Sequence, residues 1–189
     1  DFETYYDTEY SLSKMPTAAY VWDKRFEIIG FTVQVATDSP IAFTWKTLRE
    51  GILFLRKLKL HTPGTVVVAH NAQFDGFILE QRLKIQPWKY FCTAQAARPW
   101  VVPFTEKGRA SLAETAMFLG VGIKGTEVLN ARGKHGKDFS DEELAKYMQY
   151  CANDTRLSYF AYLLLMEKYH VYGAMTEPEL IDLTVKKFT

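Results

Sequence analysis

The sequence lacks the features of a membrane protein, of a structural zinc site and of a protein from an oxidising compartment. It has two cysteines in 189 residues, Cys92 and Cys151, with no CxxC motif and no histidine-rich tract. This argues against a disulfide framework and favours a reducing compartment such as the cytoplasm. No signal peptide is visible, and no apolar run approaches the ~20 residues of a membrane span. We therefore expect a soluble, cytoplasmic protein without a membrane partner.

An excess of charge is also missing. Lys and Arg number 23 against 22 Asp and Glu, which gives a net charge of +1. Such a balance provides no global attraction to nucleic acid or anionic lipid, so any basic binding site must be local. Repeats and low-complexity segments are absent, and 48% hydrophobic residues can form the core of one domain.

Hydrophobic periodicity predicts strands first and then an alternation of strands and helices. Residues 26–35 and 40–45 have the pattern of two antiparallel strands, and residues 45–58 have helical spacing. The apolar run 65–69 is typical of a buried parallel strand. This order predicts an α/β fold with a mixed sheet flanked by helices.

Capping signals indicate where three later helices begin. Asn71 can cap a helix that carries Asp75 near its N-terminal end. Ser-x-x-Glu boxes begin helices at Ser111 and Ser140, and the second of these helices runs to about His170. The longest predicted helix therefore lies near the C-terminal end of the sequence.

Acidic residues recur in three short motifs. DFET places Asp1 and Glu3 on one face of a strand, and NAQFD ends in Asp75. In YCANDT, Tyr150 and Asp154 are four residues apart and share one face of the long helix. Taken alone, Asp154 is typical of a solvated helix residue and Tyr150 of a core aromatic. The three motifs together predict one site where four carboxylates converge.

The motifs D-x-E, N-x-x-F-D and Y-x-x-x-D, in this order and at these separations, resemble the DEDD superfamily of 3′ to 5′ exonucleases, in its tyrosine branch. The histidine branch would have H-x-x-x-x-D, but position 149 is Gln. LAETAMFLG, Lys124, Glu127 and ARGKHGKDF look like the region before the last motif in proofreading domains of family A DNA polymerases. Residues 1–31 resemble the phage-encoded members, and the resemblance covers essentially the whole chain.

The resemblance implies a ribonuclease H-like (DnaQ-like exonuclease) fold. It implies an exonuclease domain at residues 1–172 and a connector at 173–189 toward a polymerase domain in cis, which is absent from the sequence. We also expect residues upstream of Asp1, because a strand that begins at its most constrained residue loses ladder hydrogen bonds. A phage-encoded protein would act in the cytoplasm of the host bacterium.

The resemblance further implies two divalent cations, Mg²⁺ or Mn²⁺, about 4 Å apart. By the family's pattern, Asp1 bridges both cations, while Glu3 and Asp154 hold the one that activates water. Asp75 serves the other cation through its water shell, and Tyr150 orients the attacking water. Four like charges held together should also raise the pKa of at least one carboxyl group by repulsion, and we expect this at Asp1, the central one.

Contacts to the substrate, a single-stranded DNA 3′ end, are implied in the same way. The main chain near Thr4 and the side chain of Asn71 would contact the terminal nucleotide. Gln73 and Phe74 would lie beside the end of the strand, although Phe74 is equally typical of a core residue. Four basic residues in a glycine-rich stretch are candidates for phosphate contacts or for a solvated loop: Lys124, Arg132, Lys134 and Lys137. His70 is interpreted as a strand-end histidine with structural partners.

Two other functions remain open. A ribonuclease D-like 3′ to 5′ exoribonuclease shares the tyrosine branch, but the sequence has no basic helical annex for RNA. A non-catalytic module that binds 3′ ends would not need all four carboxylates and the tyrosine, which are intact. We therefore expect a 3′ to 5′ exodeoxyribonuclease that acts on single-stranded or mispaired DNA.

Overall fold

The computed structural model describes residues 1–105, 108–125 and 131–173. The strands are β1 (Phe2–Thr4), β2 (Ile28–Val33), β3 (Ile41–Thr44), β4 (Val66–Ala69) and β5 (Lys89–Cys92). The helices are α1 (Thr17–Trp22), α2 (Leu48–Lys57), α3 (Ala72–Phe77), α4 (Thr93–Val101), α5 (Leu112–Leu119) and α6 (Asp141–Gly173). The expected α/β class is confirmed. Glu127 and, apart from Gly173, the expected connector lie outside the described residues.

The strands form two sheets instead of the single mixed sheet expected from the sequence. The first is antiparallel in the order β1-β2-β3, and the second is a parallel pair of β4 and β5. The antiparallel pairing of 26–35 with 40–45 and the parallel character of 65–69 are confirmed. A cavity of about 550 Å³ is lined by residues of both sheets, among them Phe2 and 66–69.

Buried aromatic side chains hold the segment that follows β1. The rings of Tyr10 and Tyr20 stack with centroids 4.3 Å apart, and neither side chain is more than 2% exposed. The Tyr10 hydroxyl donates to the main-chain carbonyl of Tyr20 at 2.7 Å, and the Tyr20 hydroxyl donates to the carbonyl of Tyr5. Because buried phenols need such partners, this cluster fixes the chain directly after β1.

The long helix α6 begins as its capping box predicts. The Ser140 N–H donates to Glu143 Oε2 at 2.9 Å, and the Glu143 N–H donates to Ser140 Oγ at 3.2 Å. The helix has 33 residues, which corresponds to about 50 Å. It packs against β2, β3, β4, α4 and α5. A single rigid element therefore carries side chains from one sheet to the other.

The predicted capping hydrogen bonds are present at the start of α5 and absent at the start of α3. Ser111 and Glu114 form the expected reciprocal box, and Gly120 ends α5 with a left-handed φ of 69°. Asn71 occupies the N-cap position of α3, but its side chain makes no capping hydrogen bond. The backbone at Asn71 is left-handed, with φ 72°, a conformation that Asn tolerates better than most residues. Its contribution is therefore the turn between β4 and α3.

None of the helices in the described part of the chain has the length and apolar composition needed to cross a membrane.

Candidate active site

The candidate site lies where β1 meets the middle of α6. The main chain of Asp1 exchanges two hydrogen bonds with Thr32 of β2, at 3.1 and 3.0 Å. Side chains alternate along a strand, so Asp1 and Glu3 share one face while Phe2 points to the other. Phe2 packs against Phe31 in the core and is 8% exposed. The strand register therefore turns both carboxylates away from the core and toward α6.

Asp1, Glu3 and Cys151 form a ligand group whose candidate atoms all lie within 4.8 Å of one another. Cys151 Sγ is fully buried and lies 3.6 Å from Asp1 Oδ2. Burial raises the pKa of the Cys151 thiol to about 12, so the thiol stays protonated at neutral pH and is a poor ligand. The sequence analysis did not identify Cys151 as a neighbour of the predicted site. The carboxylates of Asp1 and Glu3 are the hard donors of the ligand group.

Asp154 reaches this region from α6 and is 4% exposed. Its Oδ2 atom pairs with the ammonium group of Lys124. Its Oδ1 atom is buried and finds no hydrogen-bond partner among the described residues. A buried carboxylate oxygen without a partner is unfavourable. Asp154 therefore has one oxygen that a bound cation could satisfy.

Asp75 approaches the other side of β1 from the first turn of α3. The Phe2 N–H donates to Asp75 Oδ1 at 3.0 Å, and Asp75 is 4% exposed. Among the described residues, neither Asp75 nor Asp154 has an oxygen within 4.8 Å of all the other ligand atoms of this group. The Phe2 N–H holds Asp75, and Lys124 holds Asp154. The predicted carboxylates are thus gathered around β1, with Asp1 and Glu3 in the closest group.

Burial, and not repulsion, is the main reason why the carboxyl groups have perturbed acidities. It raises the pKa of Glu3 to about 7, and the charge of Asp154 raises this pKa further by a smaller amount. Burial also raises the pKa of Asp75 and of Asp154. The expected raised pKa is therefore present at Glu3, Asp75 and Asp154, with burial as the larger cause, and the expected repulsion contributes at Glu3.

Tyr150 and Lys124 lie together beside Asp154. Tyr150 is 5% exposed, and the Lys124 ammonium lies 4.9 Å from the centroid of its ring. Burial and the negative charge of Asp154 both raise the pKa of the Tyr150 hydroxyl. The hydroxyl therefore remains protonated at neutral pH and can donate a hydrogen bond beside Asp154.

A second tyrosine, Tyr147, contacts the ligand group and was missed by the sequence analysis. Its hydroxyl donates to Glu3 Oε2 at 2.5 Å. The available signal was its position, because residue 147 lies three before Tyr150 and seven before Asp154, on the same helix face. Aromatic residues at helical spacing are common in cores, so this signal is weak without the partner.

The candidates for contacts to a terminal nucleotide are divided between the surface and the core. Asn71 and Gln73 are exposed at the start of α3. Thr4 is 7% exposed, and its hydroxyl lies 2.7 Å from the Tyr20 hydroxyl. Phe74 is 9% exposed and packs 6.0 Å from the Tyr20 ring, which favours its interpretation as a core residue. The side chains of Asn71 and Gln73 therefore remain accessible to a ligand.

The basic segment, residues 131–137, is docked on the protein instead of forming the flexible loop that its glycines suggested. The Gly133 N–H donates to the carbonyl of Tyr6 at 2.8 Å. The Gly136 N–H donates to Glu27 Oε1 at 2.7 Å, and His135 Nδ1 lies 2.6 Å from Glu27 Oε2. The segment thereby packs beside the chain that leaves β1.

Most of the four basic candidates have protein partners. Lys124 pairs with Asp154, and Lys134 pairs with Glu143 at 2.7 Å. The Arg132 guanidinium hydrogen-bonds the hydroxyl of Tyr6. Lys137 is exposed and has no ion pair with the described residues. Lys137 is therefore the candidate that is most available to a phosphate.

His70, at the end of β4, has the structural partners expected for it. Its Nε2 lies 3.0 Å from the carbonyl oxygen of Ala110, and its Nδ1 lies 3.0 Å from Thr93 Oγ1. Burial lowers the pKa of His70 to about 4. The imidazole is therefore neutral at physiological pH, and the interpretation of His70 as a satisfied strand-end histidine is confirmed.

The function of the chain has to be argued from these side chains. Comparison with models of protein families, with curated proteins and with solved structures gave no match.

Proposed function

We propose that this chain is a metal-dependent 3′ to 5′ exonuclease of the DEDD superfamily, tyrosine branch, with a ribonuclease H-like fold. It would remove nucleotides from single-stranded or mispaired DNA 3′ ends as the proofreading domain of a family A DNA polymerase. The observation that carries the proposal is the meeting of acidic side chains from three distant segments around β1. Asp1 and Glu3 are adjacent, Asp75 accepts from the β1 main chain, and Asp154 presents a buried oxygen without a described partner.

The donor set fits two hard divalent cations, Mg²⁺ or Mn²⁺. Carboxylate oxygens are the ligands that these cations prefer. Asp1, Glu3 and Asp154 would hold them directly, and the free Oδ1 of Asp154 supports this role. Asp75 already uses one oxygen for the Phe2 N–H, which suits a contact made through water. The protonated thiol of Cys151 adds no competing charge to the ligand group.

In the proposed reaction, bound cations would supply an acidified water and would neutralise charge on the phosphate oxygens. Tyr150, protonated beside Asp154, would donate a hydrogen bond that orients the attacking water. Burial raises the pKa of Asp154, and the charge of Lys124 opposes this effect and favours the ionised carboxylate. Glu3, with a pKa of about 7, must lose its proton before it binds, so affinity for the cation should rise with pH.

A labelled-oligonucleotide assay tests the proposal. A 5′-labelled single-stranded DNA should be shortened stepwise in Mg²⁺ or Mn²⁺ and faster than a blunt duplex, because the end must be unpaired to enter the site. EDTA and Asp154→Ala should both stop the reaction. Fragments from circular single-stranded DNA would contradict the assignment of an exonuclease.

The same assay separates the alternatives. An RNA oligomer degraded in preference to DNA of the same sequence would favour the ribonuclease D-like function. Tight binding of 3′ ends without cleavage, in a protein that still binds Mn²⁺, would favour the non-catalytic module.

A further inference from the structure

Tyr147 is a buried residue of α6 with a direct contact to a member of the ligand group. Its hydroxyl donates to Glu3 Oε2 at 2.5 Å, and its side chain is 3% exposed. The two residues are 144 positions apart in the sequence. The hydrogen bond therefore joins β1 to α6 at the point where the carboxylates gather.

The direction of this hydrogen bond is fixed by the chemistry of its surroundings. Burial and the negative charge of Glu3 raise the pKa of Tyr147, so the phenol stays protonated and can donate. One oxygen of the Glu3 carboxylate is thereby held, which fixes the rotation of the whole group. The other oxygen, Oε1, then has a defined orientation relative to Asp1.

The ring of Tyr147 is itself fixed by packing. It is nearly parallel to the rings of Phe139 and Tyr150, with interplanar angles of 9° and 4° and centroid distances of 5.5 and 6.3 Å. Leu144 and Cys151 belong to the same buried cluster. The hydroxyl cannot swing away from Glu3 unless this stack is disrupted.

We propose that Tyr147 is a positioning residue for metal binding, which holds the Glu3 carboxylate in the orientation that presents Oε1 to a divalent cation. The inference rests on the proposed metal-dependent function. Partners that orient a ligand in this way typically change metal affinity or activity by about 10- to 100-fold when they are removed. Tyr147 acts through Glu3 and does not itself contact the reacting atoms.

Removing only the Tyr147 hydroxyl tests this role. Tyr147→Phe keeps the stacked ring, and we expect Mn²⁺ to bind about 10- to 100-fold more weakly in a calorimetric titration. Tyr169→Phe is the matched control for a lost tyrosine hydrogen bond, because the Tyr169 hydroxyl donates to the carbonyl of Ala96 at 2.8 Å. Tyr169 lies about 33 Å further along α6.

A second readout separates positioning from general damage. With increasing Mn²⁺, Tyr147→Phe should recover most of the wild-type maximal rate of DNA cleavage, whereas Tyr150→Phe should stay slow at saturation. If Tyr147→Phe fails to fold, Phe139→Leu, which loosens the stack and keeps the hydroxyl, should show a smaller loss of affinity in the same direction.

The outcomes distinguish this inference from the proposed function. An affinity of Tyr147→Phe within twofold of the wild type, or an unchanged affinity in Phe139→Leu where that variant is needed, would overturn the positioning role and leave the nuclease proposal intact. Affinity for Mn²⁺ that depends on Tyr147, in a protein that cleaves no DNA, would support the positioning role and contradict the nuclease proposal.

Discussion

Replacing Glu3 by Gln should make the metal-free protein more stable at alkaline pH. Glu3 is the central residue of β1, and burial of its carboxyl group raises the pKa to about 7 from an ordinary value of 4.5. Gln has nearly the same shape, and its side-chain oxygen can still accept the hydrogen bond from Tyr147. The substitution therefore removes the charge with little change in packing.

The sign and size of the effect follow from proton linkage. Between pH 4.5 and 7 the folded protein binds the Glu3 proton more tightly than the unfolded chain does, so ionisation of Glu3 reduces stability as the pH rises. The two pKa values correspond to a loss of about 2 to 3 kcal/mol between pH 5 and pH 8. For a domain of this size such a loss lowers the melting temperature by roughly 5 to 10 °C. Glu3→Gln should lack this loss.

Urea unfolding in EDTA at several pH values measures the effect as a difference between the two proteins. The difference is essential because His70 contributes a pH dependence of the opposite sign in an overlapping window. Glu3→Gln keeps His70, so subtraction isolates the contribution of residue 3. Mn²⁺ should then stabilise the wild type more than the variant, since the variant lacks one charged ligand.

An identical pH dependence of the free energy of unfolding in Glu3→Gln and in the wild type would refute this prediction. It would mean that Glu3 has its ordinary pKa and that its carboxyl group is solvated.

Three further predictions concern His70, the pair Asp154 and Tyr150, and Lys137. As the pH falls from 8 to 5, the wild type should lose about 2 kcal/mol of stability, because the unfolded chain binds a proton at His70 that the buried imidazole, with its lowered pKa, does not bind. His70→Gln should lack this loss, and equal slopes of stability against pH in the two proteins would contradict the buried neutral state. Asp154→Ala should lower the rate of DNA cleavage by several orders of magnitude, whereas Tyr150→Phe should lower it roughly 10- to 1000-fold, about 1.4 to 4 kcal/mol of activation free energy. Equal losses of kcat in the two variants would mean that the tyrosine has another role. Lys137→Gln should weaken DNA binding for every sequence and reduce the slope of log affinity against log salt by about 0.7 to 0.9. Lys134→Gln, at a lysine already paired with Glu143, should change this slope less. An unchanged slope for Lys137→Gln would leave the basic segment without a role in binding.

Local signals accounted for the elements that the sequence predicted correctly. The boxes at Ser111 and Ser140 operate over three residues, so they could be recognised without knowledge of the fold. The alternation in DFET likewise placed Asp1 and Glu3 on one face, and the structure brings their side chains together. Helix starts and strand faces are properties of a few neighbouring residues, and the sequence displays them directly.

Contacts between distant segments explain what the sequence did not predict. Lys124 was a candidate for phosphate contacts, but it pairs with Asp154, 30 residues away. Tyr147 and Cys151 have the spacing of core residues, and only the approach of β1 makes them neighbours of carboxylates. The division into two sheets depends on whether β1 and β4 come close enough to pair, which no local pattern specifies.

The wide separation of β1 and α6 in the sequence has a consequence for the timing of activity. Asp1 and Glu3 are made before Tyr147, Tyr150 and Asp154, which belong to a helix that starts only at Asp141. At roughly 5 to 20 residues per second, a ribosome needs roughly 7 to 30 seconds to make the chain between them. Closure across so many residues is also slow compared with the formation of a helix or a hairpin. A growing or prematurely ended chain without α6 therefore lacks half of the site, and the proposed nuclease becomes active only after α6 has been made.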